Sequence, residues 1–392
     1  MFAPIFKLPL TVWLLGLISL FNDTAGEFVY PLLPIYLSSV LMAGPKALGL
    51  IEGTAEALSS LLKLFSGVLA DKTRSAKYLV IGGYSLAALG RPLLAFAASW
   101  PIVLLLRCAD RAGKGLRSSP RDALLALTVD ENQRGLAFGF HRAMDNTGSV
   151  IGPLLAAWLL SRQMPIREML LWTAVSGAIT IVLTLLIREP SRDEWEKKTQ
   201  FSWTLQGIPT AFKRYLLVLA LFTLGNSSNT FLLLRARDMG MPDYQIPMLW
   251  ASVAFTAMLF STHLSALSDR VGRIGLIISG WAIYGVFYLL LAVNENVLWP
   301  LWPLFAFYGL FMAATEGAEK AMVADLAPRS LLGTAYGWFN LTTGIMLLPA
   351  SIVFGWLWQT INPQVAFSFS AGCALLAALL LRFWVGPKSD RP

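Results

Sequence analysis

The chain has 392 residues, of which 56% are hydrophobic and 14% charged, and its mean hydropathy is +0.61. This composition excludes a disordered chain and an ordinary soluble domain, because apolar runs of about twenty residues, the length that crosses a bilayer as a helix, recur throughout. The net charge of +8 lies mostly in short loops, so no nucleic-acid partner is needed to explain it. Cys108 and Cys373 both lie within apolar runs, so neither a disulfide framework nor a metal site is expected.

The apolar runs predict twelve membrane-spanning helices, numbered here in chain order. The predicted spans are residues 8–38, 48–70, 78–98, 101–125, 135–160, 168–187, 212–238, 245–268, 274–294, 298–325, 332–358 and 364–386. The first run is too long for a secretory signal, and no small-residue cleavage site follows it, so it is interpreted as the first span. The predicted fold class is an all-α membrane protein with twelve transmembrane helices.

Lysine and arginine are concentrated in alternate loops, namely after span 2, between spans 6 and 7, after span 8 and at the end of the chain. The intervening loops carry only Lys46, Arg162 and Arg167. Because positive residues favour the cytoplasmic side, both termini are expected there. The expected location is the inner or plasma membrane.

One long polar segment begins at Arg188 and divides the chain near its midpoint. It predicts an N-terminal six-helix bundle over residues 1–187, a cytoplasmic linker over 188–211 and a C-terminal six-helix bundle over 212–392. The two halves also share sequence. Residues 69–72 match residues 267–270, and residues 135–139 match residues 333–337, both at an offset of 198. This internal repeat predicts two pseudo-symmetric bundles, an architecture of secondary transporters.

At these motifs the chain resembles the major facilitator superfamily over its full length. Residues 67–75, after span 2, are similar to the family's G-x-L-A-D-R-x-G-R signature, and residues 265–273 form a second copy. Residues 31–34 are similar to its P-x-x-P signature. Residues 139–153 are similar to a glycine signature associated with proton-coupled exporters, with Ala156 and Ala157 where two further glycines are usual. The resemblance implies two bundles that rock about a central solute site.

Span 4 carries a stripe of cations. On a helix with about 100° per residue the stripe covers an arc of roughly 120°, and its members are Arg107, Arg111, Lys114, Arg117 and Arg121, with Asp110 inside the arc. An isolated cation at a helix centre costs roughly 2.5–3.5 kcal/mol, so the stripe indicates a water-filled solute path. In the resembled family span 4 carries R-x-x-Q-G, which Arg111 to Gly115 match with Lys for Gln; Arg107 is a second candidate. Neutralisation of the stripe by acids of neighbouring helices is the alternative.

Three sets of site residues follow. The substrate-binding candidates are Arg107, Arg111, Lys114, Arg142, Asn226, Trp338 and Asn340. The proton-coupling candidates are Asp23, Glu27, Glu56, Asp110 and Asp145, since intramembrane carboxylates can exchange protons; the alternative is that they only neutralise span 4. The gating candidates are Asp71, Arg74, Arg117, Arg121, Asp122, Asp269, Arg270, Arg273, Glu316 and Glu319. Within that set, Arg117 and Arg121 are expected to meet Glu316 and Glu319 as an inner gate, closed in the outward-open state. His141 and His263 are interpreted as packing residues rather than proton relays.

The predicted function is secondary active transport of a small organic anion, such as a carboxylate, a phosphorylated compound or an anionic siderophore, by proton-coupled alternating access. The alternative is a proton-coupled exporter of drugs or metabolites; substrate and direction stay open. A membrane-embedded enzyme is a remote alternative, because the two histidines lie more than a hundred residues apart and neither an H-E-x-x-H motif nor a cysteine cluster is present. We expect no cofactor and no metal, and a monomer whose partners are solute, protons and the lipid bilayer.

Overall fold

The computed structural model describes residues 8–73, 76–129, 134–187, 207–294, 297–327 and 332–385, and within these ranges the chain is helical with no strand. The helices are α1 Leu10–Ile35, α2 Pro45–Thr73, α3 Lys77–Leu93, α4 Trp100–Leu127, α5 Arg134–Ser161, α6 Ile166–Leu185, α7 Thr210–Gly225, α8 Thr230–Asp238, α9 Gln245–Val271, α10 Arg273–Val293, α11 Leu301–Leu326, α12 Leu332–Thr360 and α13 Pro363–Leu380. All twelve predicted helical segments are present, and their ends lie within a few residues of the predicted ones.

The seventh predicted span differs from expectation, because it is two helices rather than one. Helix α7 ends at Gly225 and α8 begins at Thr230, and between them Asn226 leaves the helical conformation with φ −91° and ψ 75°. The four residues of the interruption are Asn, Ser, Ser and Asn. Side chains of these types bind nearby backbone groups and compete with helical hydrogen bonds, which explains the break.

Seven helical stretches of the described chain are long and apolar enough to cross a bilayer by themselves: Leu10–Val40, Lys77–Phe96, Ile166–Leu185, Thr210–Asp238, Arg273–Val293, Ala335–Thr360 and Pro363–Val385. Helix α4 is not among them, although it is 28 residues long. Its charged residues lower its mean hydropathy, which is the property that made span 4 a candidate for function.

The chain divides into two compact units. The first comprises Met1–Ala43, Thr54–Thr199 and Pro242–Ala251, and the second comprises Gly44–Gly53, Gln200–Met241 and Ser252–Pro392. The first nine residues of α2 therefore belong to the second unit, and the start of α9 belongs to the first. The internal repeat did not predict that these two short segments belong to the opposite units.

In the first unit α1 packs along α5, and α3 packs along α4 and α6. Small residues allow the backbones to approach closely. A Cβ atom placed on Gly152 of α5 would lie 2.5 Å from the carbonyl oxygen of Thr24 of α1, and one on Gly113 of α4 would lie 2.4 Å from the carbonyl oxygen of Gly83. The glycines of the exporter-like signature therefore form a helix-packing seam between α1 and α5.

The second unit has an aromatic core in which α10 packs against α11 and α13. The rings of Phe222 and Trp281 stack with centroids 4.4 Å apart. The Tyr284 hydroxyl donates to the Gly225 carbonyl oxygen at 2.9 Å, and the Tyr308 hydroxyl donates to Asn229 Oδ1 at 2.7 Å. The aromatic core thus binds both sides of the interruption between α7 and α8.

Candidate functional site

The cationic stripe of α4 is not uniform in its surroundings. Arg107 and Arg117 are buried, whereas Arg111, Lys114 and Arg121 are partly exposed. All five come from one continuous helix, so the difference arises from the helices that pack against each turn. The partners of each cation therefore decide what it can do.

The part of the stripe around Arg107 and Asp110 is a buried ion network. Asp110 accepts from Arg91 Nε at 3.0 Å and from Arg107 Nη1 at 3.2 Å, and all three side chains are at most 7% exposed. Arg91 also donates from Nη1 to the Asn22 carbonyl oxygen at 2.7 Å. The network joins α1, α3 and α4, and it places Asp110 as the counter-ion of two arginines.

Arg91 was not among the predicted site residues. The sequence could have indicated it, because Arg91 is an ionisable residue within the otherwise apolar span 3, and such a residue usually has a specific partner. The predicted stripe included arginines of span 4 only. The structure shows that the acid of that helix is shared with α3.

One turn further along α4 the charges are more accessible. Arg111 Nε lies 3.6 Å from Glu56 Oε2 of α2, with side-chain exposures of 16% and 29% respectively. Lys114 lies within electrostatic range of Arg111, Glu56, Lys63 and Asp23. Arg111, Lys114 and Glu56, which we call the accessible charge group, are predicted substrate and proton residues that lie close together and are partly exposed.

Glu27 lies beside this group and has an aromatic partner. The indole N–H of Trp250 donates to Glu27 Oε2 at 3.1 Å, and the Tyr30 ring packs against the Trp250 ring with centroids 5.2 Å apart. Lys114 and Arg111 are both within electrostatic range of Glu27. Trp250, at the start of α9, was not predicted to belong to the site.

A second set of acids lies between α1 and α5. Asp145 Oδ1 accepts from the Ser19 hydroxyl, and its Oδ2 lies 3.5 Å from His141 Nδ1. Asp23 Oδ1 accepts from Asn22 Nδ2 at 2.7 Å, and Asp23 and Asp145 are within electrostatic range of each other. Arg142, predicted as a substrate residue, has an exposed side chain on α5.

At the last turns of α4 the gating candidates have partners within the first unit. The Arg117 guanidinium lies over the Tyr84 ring of α3 at 4.5 Å from its centroid. Arg121 donates from Nη2 to Asp122 Oδ1 at 2.9 Å. These contacts neither support nor exclude the predicted gate, which stays a prediction.

The candidates of the second unit are more dispersed. Asn226 lies in the interruption, Trp338 is half-buried and Asn340 is exposed on α12. Glu319 accepts from Trp281 Nε1 at 3.0 Å, and Arg273 Nε lies 3.4 Å from Asp325 Oδ2. The following predicted residues have side chains outside the described part of the structure: Asp71, Arg74, His263, Asp269, Arg270 and Glu316.

The cations of α4 have acidic neighbours on two other helices. Asp23 and Glu27 of α1 and Glu56 of α2 all lie within electrostatic range of Lys114. Neutralisation of the stripe by acids of neighbouring helices stays the alternative interpretation. What distinguishes the cations is their access to solvent.

Several apolar helices long enough to span a bilayer define a multi-pass membrane protein. The family model of the Major Facilitator Superfamily matches residues 12–265 and 215–392. The chain belongs to this superfamily, and the resemblance found in its sequence motifs is confirmed. The chain is accordingly a membrane transporter and not an enzyme.

Relatives and solved structures agree with this assignment. An uncharacterized MFS-type transporter of Methanocaldococcus jannaschii is 32% identical over 386 residues, which are 96% of this chain and 95% of the relative. The multidrug resistance protein MdtH of Salmonella newport is 23% identical, covering 84% and 82% of the two chains. Crystal structures of the nucleoside transporter NupG (TM-score 0.79, 13% identity, covering 95% and 98%) and of a peptide transporter, POT (TM-score 0.79, 12% identity, covering 95% and 93%), share the fold.

Proposed function

We propose that the chain is a proton-coupled secondary transporter of the inner or plasma membrane that moves a small organic anion by alternating access. The observation that carries the proposal is the difference between two ion pairs of α4. The Asp110 network is sealed, whereas the Arg111–Glu56 pair is longer, at 3.6 Å, and partly exposed. A solute that enters the protein interior can reach the second pair.

The accessible charge group has the chemistry for an anion. A guanidinium binds a carboxylate or phosphate through two parallel hydrogen bonds, and Lys114, one turn after Arg111, adds a second positive charge. Glu56 occupies the position that a solute carboxylate would take. Protonation of Glu56 removes its charge and releases Arg111, so that a proton and an organic anion bind together.

A second candidate function is proton-driven export of drugs or metabolites. Two observations favour it: similarity to the multidrug resistance protein MdtH, and the close α1–α5 seam formed by the exporter-like glycines Gly148 and Gly152. In that case Glu27 and Asp23 would bind a cationic solute, which protons displace.

Transport into proteoliposomes with an imposed pH gradient separates the two functions. The panel contains mono- and dicarboxylates, phosphate esters and cationic dyes. For an anion transporter we expect proton-driven accumulation of an anion that Arg111→Gln abolishes. Arg167→Gln, an exposed arginine of α6, is the matched control and should transport as the native chain does. Proton-driven movement of cations without any anion would overturn the proposal in favour of export.

The role of Glu56 has its own variant. Glu56→Gln mimics the protonated acid, so we expect solute exchange down a concentration gradient to persist while accumulation driven by a pH gradient is lost. Retained pH-driven accumulation in this variant would remove Glu56 from the coupling step. Arg111→Lys tests geometry, since it keeps the charge but not the two-pronged hydrogen bonding, and should raise the KM more than it lowers kcat.

The proposed topology places both termini in the cytoplasm, based on the lysines and arginines of alternate loops. Labelling of single introduced cysteines at residues 163 and 240, compared with residue 272, tests it. The first two positions lie in loops predicted to be external and the third in a loop predicted to be cytoplasmic. Labelling of position 272 from outside intact cells would contradict the topology.

A further inference from the structure

We propose that Asp23 and Asp145 share one proton and so form a proton-binding site between α1 and α5, distinct from the accessible charge group. Ser19 and His141 hold the Asp145 carboxylate in place as positioning residues. The proposal deepens the proposed function and rests on its proton coupling. It assigns the coupling proton to a pair of acids rather than to Glu56 alone.

The two acids lie near a close approach of the two helices at Gly148. A Cβ atom built on Gly148 of α5 would lie 3.2 Å from Asp23 Cβ and 2.9 Å from the Thr24 backbone nitrogen. Asp145 precedes Gly148 by one helical turn on α5 and therefore lies on the same face. The glycine seam brings the Asp23 and Asp145 carboxylates into electrostatic contact.

Their immediate partners carry no fixed positive charge. Asp23 accepts from the Asn22 amide, and Asp145 accepts from the Ser19 hydroxyl and faces His141 Nδ1. Asp110 and Glu56 differ in this respect, because each faces an arginine. Two carboxylates that repel each other in a low-dielectric interior do not both ionise easily, and a shared proton relieves the repulsion.

The surrounding charges support a pair with one net negative charge. Lys114, Arg117 and Arg121 of α4 and Glu27 of α1 act on Asp23, and Arg121 also acts on Asp145. His141 is acted on by Arg121 and Asp122 of α4, Asp23 of α1 and Arg142 of α5. From α3, Arg91 binds the carbonyl oxygen of Asn22. The cations of α4 stabilise one negative charge, and the proton removes the second.

His141 has an orientation that fits this role. Its Nδ1 faces a carboxylate, which can only accept, so the ring carries its proton there when neutral. Its Nε2 is buried and has no hydrogen-bond partner among the described residues. Among the described residues, the contact that orients the ring is therefore the one with Asp145.

Infrared difference spectroscopy of the purified full chain, recorded between acidic and alkaline pH without any solute, tests the site directly. A protonated carboxyl gives a C=O stretching band that a carboxylate lacks. We expect one such band from a buried acid, lost in both Asp23→Asn and Asp145→Asn, because removing either acid removes the repulsion that holds the proton. Glu56→Gln and the exposed Asp325→Asn should keep the band.

The positioning role of His141 has a conservative control. His141→Gln retains a side-chain N–H donor and should keep the pH midpoint of the band near the native value, whereas His141→Leu should shift it. A band that persists in both Asp23→Asn and Asp145→Asn, or that only Glu56→Gln removes, would overturn the shared-proton site. Because no solute is used, the experiment tests the proton site independently of the proposed anion transport.

Discussion

Replacement of Arg91 by leucine tests whether the buried ion network of α4 is structural. The native guanidinium makes two hydrogen bonds to acceptors, at 3.0 Å to Asp110 and at 2.7 Å to the Asn22 carbonyl oxygen. A hydrogen bond to a charged group contributes about 1.5–3 kcal/mol, so the loss of both is expected to cost about 3–6 kcal/mol. Breaking a buried ion pair by removing one partner costs about 3–5 kcal/mol, which agrees.

Asp110 retains Arg107 in this variant, so we expect a value near the lower limit. About 3 kcal/mol corresponds to a more than hundredfold rise in the unfolding equilibrium constant. The assay is the fraction of protein that stays monodisperse after heating in mild detergent, together with unfolding in denaturant. Arg167→Leu, at an exposed position of α6, is the matched control and should behave as the native chain.

A cycle with Asp110→Asn makes the test independent of the absolute value. If Arg91 and Asp110 interact as the structure shows, the cost of Asp110→Asn is smaller in the Arg91→Leu background than in the native chain, by about 1 kcal/mol or more. Equal stability of Arg91→Leu and Arg167→Leu, or strict additivity in the cycle, would refute the network as a structural element.

Two further predictions concern helix packing. Gly152→Ala should destabilise the chain by about 1–3 kcal/mol, because the added methyl group meets the Thr24 backbone. Thermal unfolding should occur at a lower temperature in this variant and at the native temperature in Gly82→Ala, where the space around the glycine is open. Tyr308→Phe removes a hydrogen bond to Asn229, so it should lower the free energy of unfolding by about 1–3 kcal/mol and accelerate hydrogen exchange of the amides of α8. Unchanged exchange in α8 would show that the aromatic core does not stabilise the interruption.

Sequence patterns predicted the helices well for a physical reason. A membrane span must satisfy its backbone internally and bury apolar side chains, so apolar runs and polar loops mark it closely. The interruption between α7 and α8 was not predicted. The run of four polar residues there lies within an apolar span of normal length, and the hydroxyl groups that stabilise it, on Tyr284 and Tyr308, come from other helices.

The candidate site was predictable in its residue types but not in its pairing. Helical spacing placed Arg107 and Arg111 on one face of α4 and left the choice between them open. The distinction depends on α2 and α3. Helix α2 supplies Glu56 to Arg111, and α3 supplies Arg91, which shares Asp110 with Arg107. No periodicity within a single helix carries this information, because it specifies a face and not what packs against that face.

The two acid groups of the first unit have separate consequences for coupling. The ionised Glu56 carboxylate competes directly with the solute for Arg111, so a proton on Glu56 favours binding of the solute at the same site. A proton shared by Asp23 and Asp145 acts through space, since Lys114 of α4 interacts with both Asp23 and Glu56. A proton on the α1–α5 pair removes one of its two negative charges, which strengthens the positive field at Lys114 and raises the affinity for an anion without contacting it. Loss of Asp145 should therefore weaken the pH dependence of anion affinity, whereas loss of Arg111 should remove the affinity itself.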